Sequence, residues 1–244
     1  MQLNLVPEPR TDLLARLHTG LIKAFGRIVR PPNQRRDPAW VLVHGVIGAR
    51  TKTKVSNDNT NRLLKKFGSW EAVAALDVEV LTNQLASQTY PQQSAKRLWS
   101  CLNTIIAQRG SVDLGHLDGL PTSLAMNWLE SLPGVGRKIS AAVMNTSVFD
   151  RLAIVLDGHH QRIMRRIGIV PRNASINQIF DELMPILPVT WSAADLDEHH
   201  LLMKKLGQTY CRPKLPRCSE CFFRLDCLVG KKLETDARAN QTEF

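Results

Sequence analysis

Leu132-Pro133-Gly134-Val135-Gly136-Arg137-Lys138 joins two apolar helical stretches, Ser123 to Ser131 before it and Lys138 to Val148 after it. Two glycines one residue apart permit a tight hairpin that exposes the backbone N–H groups opening the second helix, where the helix dipole also favours an anion. Through Gly134, Val135, Gly136 and Arg137 such a turn holds a DNA phosphate. It reads no sequence, because phosphate contacts position a duplex without identifying its bases. A G-x-G turn alone is equally an ordinary corner between helices, so its meaning depends on what surrounds it.

Outward from the hairpin the chain reads as helical almost throughout. Thr11 to Ile28, Asn59 to Phe67, Glu79 to Leu85, Ser94 to Ala107 and Asp195 to Leu206 space their apolar residues at three and four, and no stretch keeps a period of two. Pro31-Pro32-Asn33, Asp37-Pro38, Gly68-Ser69, Gly110-Ser111 and Leu120-Pro121-Thr122 punctuate these segments. An all-α protein of about ten helices is expected. Past the second hairpin helix, the apolar run Leu152 to Leu156 ends in Asp157-Gly158-His159-His160, where Asp157 fits the N-cap of a new amphipathic helix. A capping carboxylate accepts backbone N–H bonds that keep it anionic at neutral pH.

The 244 residues are 43% hydrophobic, enough for one large domain or two small ones, and exclude a disordered tail or a mini-protein. Lys and Arg number 32 against 22 Asp and Glu, a net charge of +10 that points to a polyanionic partner. Charge is uneven: residues 1–36 carry +5, residues 37–150 +2 and residues 151–244 +3. The longest aliphatic run, Leu152 to Leu156, is too short to span a bilayer, and Met1 to Pro7 lacks the basic and apolar regions of a secretory signal, so an intracellular protein without membrane contact is expected.

Four of the five cysteines stand at Cys211-x6-Cys218-x2-Cys221-x5-Cys227, an arrangement that suggests a reducing compartment and a metal site. Four soft ligands this close can surround zinc or hold the corners of a [4Fe–4S] cube, and the spacing leaves both open.

Hairpin with lysine, aspartate after an apolar run and the cysteine cluster, in that order, resemble the endonuclease III family of helix-hairpin-helix DNA glycosylases over residues 37 to 230. The resemblance implies a two-lobed all-α fold: a six-helix barrel holding the hairpin at 37–150, a discontinuous lobe from 1–36 and 151–230, and a flexible tail at 231–244. Double-stranded DNA with damaged bases or abasic sites would bind between the lobes of a monomer. The cysteines would hold a [4Fe–4S] cluster, with zinc as the minority reading. Lys138 is implied as the nucleophile and Asp157 as the catalytic carboxylate. Physical chemistry supports the pair, since a first-turn lysine beside Arg137 is disfavoured in its protonated form, while Asp157 can stabilise positive charge on the sugar. Glu130, before the hairpin, and His159, after the aspartate, are supporting candidates.

Removing a base requires flipping it out and filling the hole. The family's two inserting loops correspond to Gly48-Ala49-Arg50-Thr51-Lys52-Thr53 and Thr89-Tyr90-Pro91-Gln92, which offers Arg50, Lys52, Tyr90 and Gln92 to the DNA. The first loop usually reads close to Ser-Ala-Gln in the family, so Arg50 stands where a glutamine is common. Gly158 is a second departure, since close relatives carry Thr there and adenine-excising cousins carry Asp-Gly. The expected activity is excision of a damaged base, with an oxidised pyrimidine as the leading substrate, followed by β-elimination through a lysine Schiff base. Alternatives are a mismatch-specific or other lesion-specific glycosylase of the same fold, a silent DNA-binding iron–sulfur protein, and an electron carrier.

Overall fold

The computed structural model describes residues 9–239. Among them stand twelve α-helices and no strand, the sole bridge being an isolated pair between Arg36 and Ser147. The class is all-α, as the spacing of apolar residues predicts. No helix among the described residues is long and apolar enough to cross a membrane.

The chain divides into two compact units. One is formed by the two chain ends, up to Arg30 and from Ile154 onward, and the other by Pro31–Ala153. These boundaries replace the expected ones at 36/37 and 150/151, for a local reason in each case. Arg35 donates to the Asn145 carbonyl at 2.5 Å and pairs with Asp150 at 2.6 Å, while the Val148 N–H donates to Arg36 O at 3.0 Å. Arg151 likewise belongs to the central unit, its N–H donating to Met144 O at 2.9 Å and its guanidinium pairing with Asp118 at 3.1 Å.

Helix α1 (Pro9–Phe25) belongs to the unit of the two ends and buries Leu14, Leu17 and Leu21 on one stripe. The central unit follows as α2 (Pro38–Ile47), α3 (Thr53–Phe67), α4 (Trp70–Ala74), α5 (Val78–Gln84), α6 (Pro91–Arg109), α7 (Thr122–Glu130) and α8 (Arg137–Thr146). Asp37 starts α2 by accepting the Trp40 N–H at 3.0 Å, with Pro38 in the first turn, where its missing donor costs nothing. Leu42, Ile47, Leu63, Leu81, Leu98, Leu102 and Ile105 make this unit's fully buried core. Each such side chain contributes roughly 1.5–3 kcal/mol by leaving water. Helix α2 lies against α8 at Gly45, where an added Cβ would come within 2.8 Å of the Ile139 side chain, so only glycine permits this approach.

The unit of the two ends resumes with α9 (Gly158–Ile167), α10 (Ile176–Leu183), α11 (Ala193–Thr209) and α12 (Leu228–Ala239). Ile163, Met164, Leu183, Leu202, Met203 and Leu206 meet the α1 leucines in one core. The expected flexible tail at 231–244 is corrected in part. Residues 228–239 are helical, because α12 starts directly after the cysteine loop, with Lys231 N–H donating to Cys227 O at 2.8 Å; 240–244 lie outside the described residues.

Candidate active site

The hairpin is built by one left-handed residue. Gly134 has φ 80°, a conformation that side chains resist, and Val135 N–H donates to Leu132 O at 3.1 Å to close the turn. Gly136 then begins α8 without a side-chain cap. Gly134, Gly136 and Lys138 are exposed, whereas Val135 is buried beneath the turn.

Glu130 braces this hairpin. Its Oε1 accepts from Arg137 Nε at 2.7 Å and from Ser140 Oγ at 2.6 Å, tying the end of α7 to the first turn of α8. Arg137 is therefore paired with a carboxylate. The cation counted beside Lys138 from the sequence is thus offset by Glu130.

The two loops expected to enter DNA lie together. Thr89 Oγ1 donates to the Arg50 carbonyl at 3.0 Å, and Thr89 N–H donates to Thr51 Oγ1 at 3.2 Å. Arg50 is exposed and adopts φ 57°, a left-handed strain that an L side chain accepts only where its surroundings hold it. Lys52, exposed, stands at the N-cap position of α3, and Tyr90, 42% exposed, at that of α6, neither with a side-chain cap bond. Gln92 was expected in a loop before a helix starting at Ser94. It sits instead in the exposed first turn of α6, because Pro91 occupies a helix-starting position.

In the other unit Asp157 is the N-cap of α9. A single oxygen, Oδ1, accepts both the His159 and the His160 N–H at 2.9 Å. Behind it lie histidines that the sequence reading did not single out, although two His-His pairs stand at 159–160 and 199–200. His160 and His199 are fully buried with ring centroids 5.1 Å apart, and His199 Nδ1 meets His18 Nδ1 at 3.3 Å. His200 is pinned to the segment before the aspartate, its Nδ1 lying 2.9 Å from Val155 O, and its ring lies nearly parallel to that of His160. Burial alone pushes the Asp157 carboxyl up. The charge of His200, the N–H bond from His160 and the charges of His160 and His159 outweigh it and hold the group below the usual carboxylate range. His160 is itself pushed down to about 3 by burial and by the His200 charge, so it is neutral at neutral pH.

These histidines give the fold a pH dependence of definite sign. Burial lowers His18, His160 and His199, so each is neutral when folded and gains a proton more readily on unfolding. Their full contribution is present above the ordinary value near 6.5 and is lost as pH falls below it. At pH 5 His160 alone costs about 2 kcal/mol. Urea unfolding should therefore show a lower midpoint at pH 5 than at pH 7, and His160→Leu should remove part of the difference. Superimposable curves at the two pH values would contradict this.

Helix α9 also grips the cysteine loop. Arg162 donates to Cys211 O at 2.9 Å and to Gly207 O at 3.0 Å and meets His159 Nδ1 at 3.1 Å. Arg166 donates to Arg212 O at 2.6 Å and reaches Cys211 Sγ at 3.4 Å. Cys211, Cys218, Cys221 and Cys227 are free and half-buried. Burial pushes the Cys218 and Cys221 thiols up, and the charges of Cys211 and Cys227 push both further, so the sulfurs feel one another. Among the described residues His18, Asp195 and Glu198 bring three such ligand atoms all within 4.8 Å of one another. That histidine–carboxylate trio is already engaged, Asp195 in a capping box with Ser192 and Glu198 with Ile28 N–H at 2.7 Å and Arg27 at 3.0 Å. Cys101 is buried in α6, its thiol pushed up to about 12, and is inert.

Residues 43–188 match the family profile of the HhH-GPD superfamily base excision DNA repair proteins. Endonuclease III of Escherichia coli (strain K12) is 32% identical over 198 residues, which are 81% of this chain and 87% of that protein. Protein ROS1C of Oryza sativa subsp. japonica is 29% identical over 171 residues, 65% of this chain, and the chain spans only 9% of that relative's length. Among solved structures, a non-covalent endonuclease III–DNA complex superposes with a TM-score of 0.73 at 23% identity, covering 92% of this chain and 98% of the other, which establishes a common fold. Because the profile covers more than half of the chain and includes hairpin, lysine and aspartate, the chain belongs to the HhH-GPD superfamily of base excision DNA repair proteins.

Proposed function

We propose that the chain is a bifunctional DNA N-glycosylase and abasic-site lyase, acting as a monomer on double-stranded DNA that holds a damaged base, wherever in the cell that DNA lies. The observation that carries this reading is Lys138, an exposed amine on the first turn of α8 directly after the glycine hairpin. A phosphate held by the hairpin amides brings the deoxyribose to the lysine. The neutral amine attacks C1′ as the bond from C1′ to the base breaks. The departing base takes the electron pair and a proton, and Asp157, kept anionic by its two N–H donors, stabilises the positive charge that builds on the sugar. The nitrogen lone pair then breaks the C1′–O4′ bond, O4′ takes a proton from solvent, and the protonated imine that results acidifies the 2′ hydrogen; water takes that hydrogen as a proton and the C3′–O bond breaks, the 3′ phosphate leaving with the electron pair. Borohydride added during turnover on lesion-bearing or abasic duplexes should reduce that imine to a stable protein–DNA adduct. Cleavage with no trapped adduct would exclude the lysine route.

The cysteine loop fits a metal group by the chemistry of its donors. Burial and neighbouring sulfurs push the Cys218 and Cys221 thiols up, and four thiolates gathered in one loop call for a cation among them. By its resemblance to the endonuclease III family the loop is assigned a [4Fe–4S] cluster held by Cys211, Cys218, Cys221 and Cys227. When bound, that cluster supplies a fixed, charged anchor for the loop. Arg212 and Lys214, both exposed, are its candidates for phosphate, whereas Arg217 is paired with Glu220 at 2.6 Å. The purified protein should be brown, with about four iron and four sulfide per chain. Cys218→Ser should lower both the iron content and the thermal midpoint, whereas one zinc without sulfide would overturn the assignment.

Arg50 is proposed to enter the gap left by the extruded base, with Tyr90 beside it. A guanidinium offers only donors, which match O6 of an orphaned guanine or O2 and N3 of cytosine and oppose the amino group of adenine. Excision should be fastest opposite guanine or cytosine and slowest opposite adenine, by about 1–3 kcal/mol in the barrier. Single-turnover rates of wild type and Arg50→Gln across four opposite bases check this, and an equal loss for all four would reduce Arg50 to a phosphate contact.

A further inference from the structure

The hairpin has a neighbour from a distant stretch of chain. A Cβ added at Gly134 would lie 3.3, 3.4 and 3.5 Å from Cβ, Cγ and Cδ of Arg97, so three successive carbons of that side chain run along the turn. Arg97 belongs to α6 and to the same unit as the hairpin. Its guanidinium begins one bond past Cδ, so covalent geometry keeps it at the hairpin. Arg97 is exposed, and no hydrogen bond or ion pair engages it among the described residues.

Other arginines of this unit are committed. Arg35 pairs with Asp150 at 2.6 Å, Arg62 donates to Gln84 Oε1 at 3.4 Å and Arg151 pairs with Asp118 at 3.1 Å. At the hairpin itself Arg137 pairs with Glu130 at 2.7 Å, so its positive charge is offset. Backbone amides and the helix dipole offer an anion only partial charges. Arg97 brings to the same turn a full charge on a planar fork of donors, which matches phosphate oxygens two at a time. It also stands in line with an inserting loop, because Tyr90 and Arg97 are two turns of α6 apart, about 10 Å along one helix face.

We infer that Arg97 grips a phosphate of the lesion-bearing strand at the hairpin, supplying the full positive charge that Glu130 offsets on Arg137. This rests on the glycosylase reading and adds a residue to its binding machinery. The contact holds the strand beside Lys138 while the loop of Tyr90, two helical turns away, meets the gap. It is made to charge and not to a base, so it serves every lesion and sequence alike.

The test is equilibrium binding to a duplex carrying an uncleavable tetrahydrofuran abasic analogue, over a range of salt, with wild type, Arg97→Met and Arg97→Lys. Methionine keeps an unbranched stem along Gly134 and removes the charge, whereas lysine keeps both. Arg97→Met should bind about tenfold more weakly at about 0.1 M salt, and its slope of log affinity against log salt should be shallower by about one. Arg97→Lys should keep the slope and most of the affinity. Single methylphosphonates placed in turn along the lesion strand locate the contact. At one position the neutral linkage should weaken wild type by about tenfold and Arg97→Met hardly at all. Unchanged affinity and slope in Arg97→Met, or equal methylphosphonate penalties in both proteins at every position, would overturn the contact. A lower thermal midpoint in Arg97→Met with an unchanged slope would do the same, leaving Arg97 as packing beneath the turn. Failure of wild type to give the borohydride adduct on an abasic duplex would refute the lyase reading alone, since this contact is read from binding.

Discussion

Lys138→Gln should abolish the borohydride adduct on an abasic duplex and slow strand cleavage by at least about a thousandfold, the scale on which removing a covalent nucleophile acts. Glutamine keeps the length, polarity and helix propensity of the position but has no basic amine to form an imine. Lys138 is exposed, so the stability of the variant should lie within about 0.5 kcal/mol of wild type. The hairpin does not depend on it either, because the turn is made by Gly134 and braced by Glu130 on Arg137 and Ser140. Binding to a duplex with an uncleavable abasic analogue should therefore change only a few-fold, since one phosphate-range charge is lost from a basic surface. A gel-resolved adduct of normal yield from this variant would place the nucleophile elsewhere.

Asp157→Asn should slow base excision by about two to four orders of magnitude while leaving the fold intact. The amide oxygen of asparagine accepts the same N–H bonds from His159 and His160, so α9 stays capped. What disappears is the negative charge that the surroundings hold below the usual carboxylate range. The sugar develops positive charge mainly as the base leaves. Adduct formation on a duplex that is already abasic should accordingly fall much less than excision of a base. Because the wild-type carboxyl is depressed, it remains anionic as pH falls through the ordinary carboxylate value, and base excision should not lose this group until more acidic pH. Equal losses in both steps would assign Asp157 to the fold of α9 instead of to charge.

Local rules made much of this protein legible before any coordinates. Apolar residues at three and four mark helices, G-x-G ahead of a helix marks the turn at Gly134, and an aspartate after Leu152 to Leu156 marks the cap of α9, since each depends on residues a few positions apart. Four cysteines within one loop belong to the same kind of signal. Tertiary structure decided what distant residues do to one another. Glu130 looks like a free acid in the sequence and is the partner of Arg137 and Ser140. Arg35 and Arg36 look like part of a basic chain end and are stitched to residues 145–150, which moves the unit boundary to Arg30. His18, His199 and His200 come beside α9 and its cap from 139 residues before Asp157 and some 42 after it, a conjunction that no periodicity announces. Whether a polar side chain is buried, paired or open follows from which helices pack across it. The sequence sets the helices by short-range propensity, and their packing sets the charges and rings of the site.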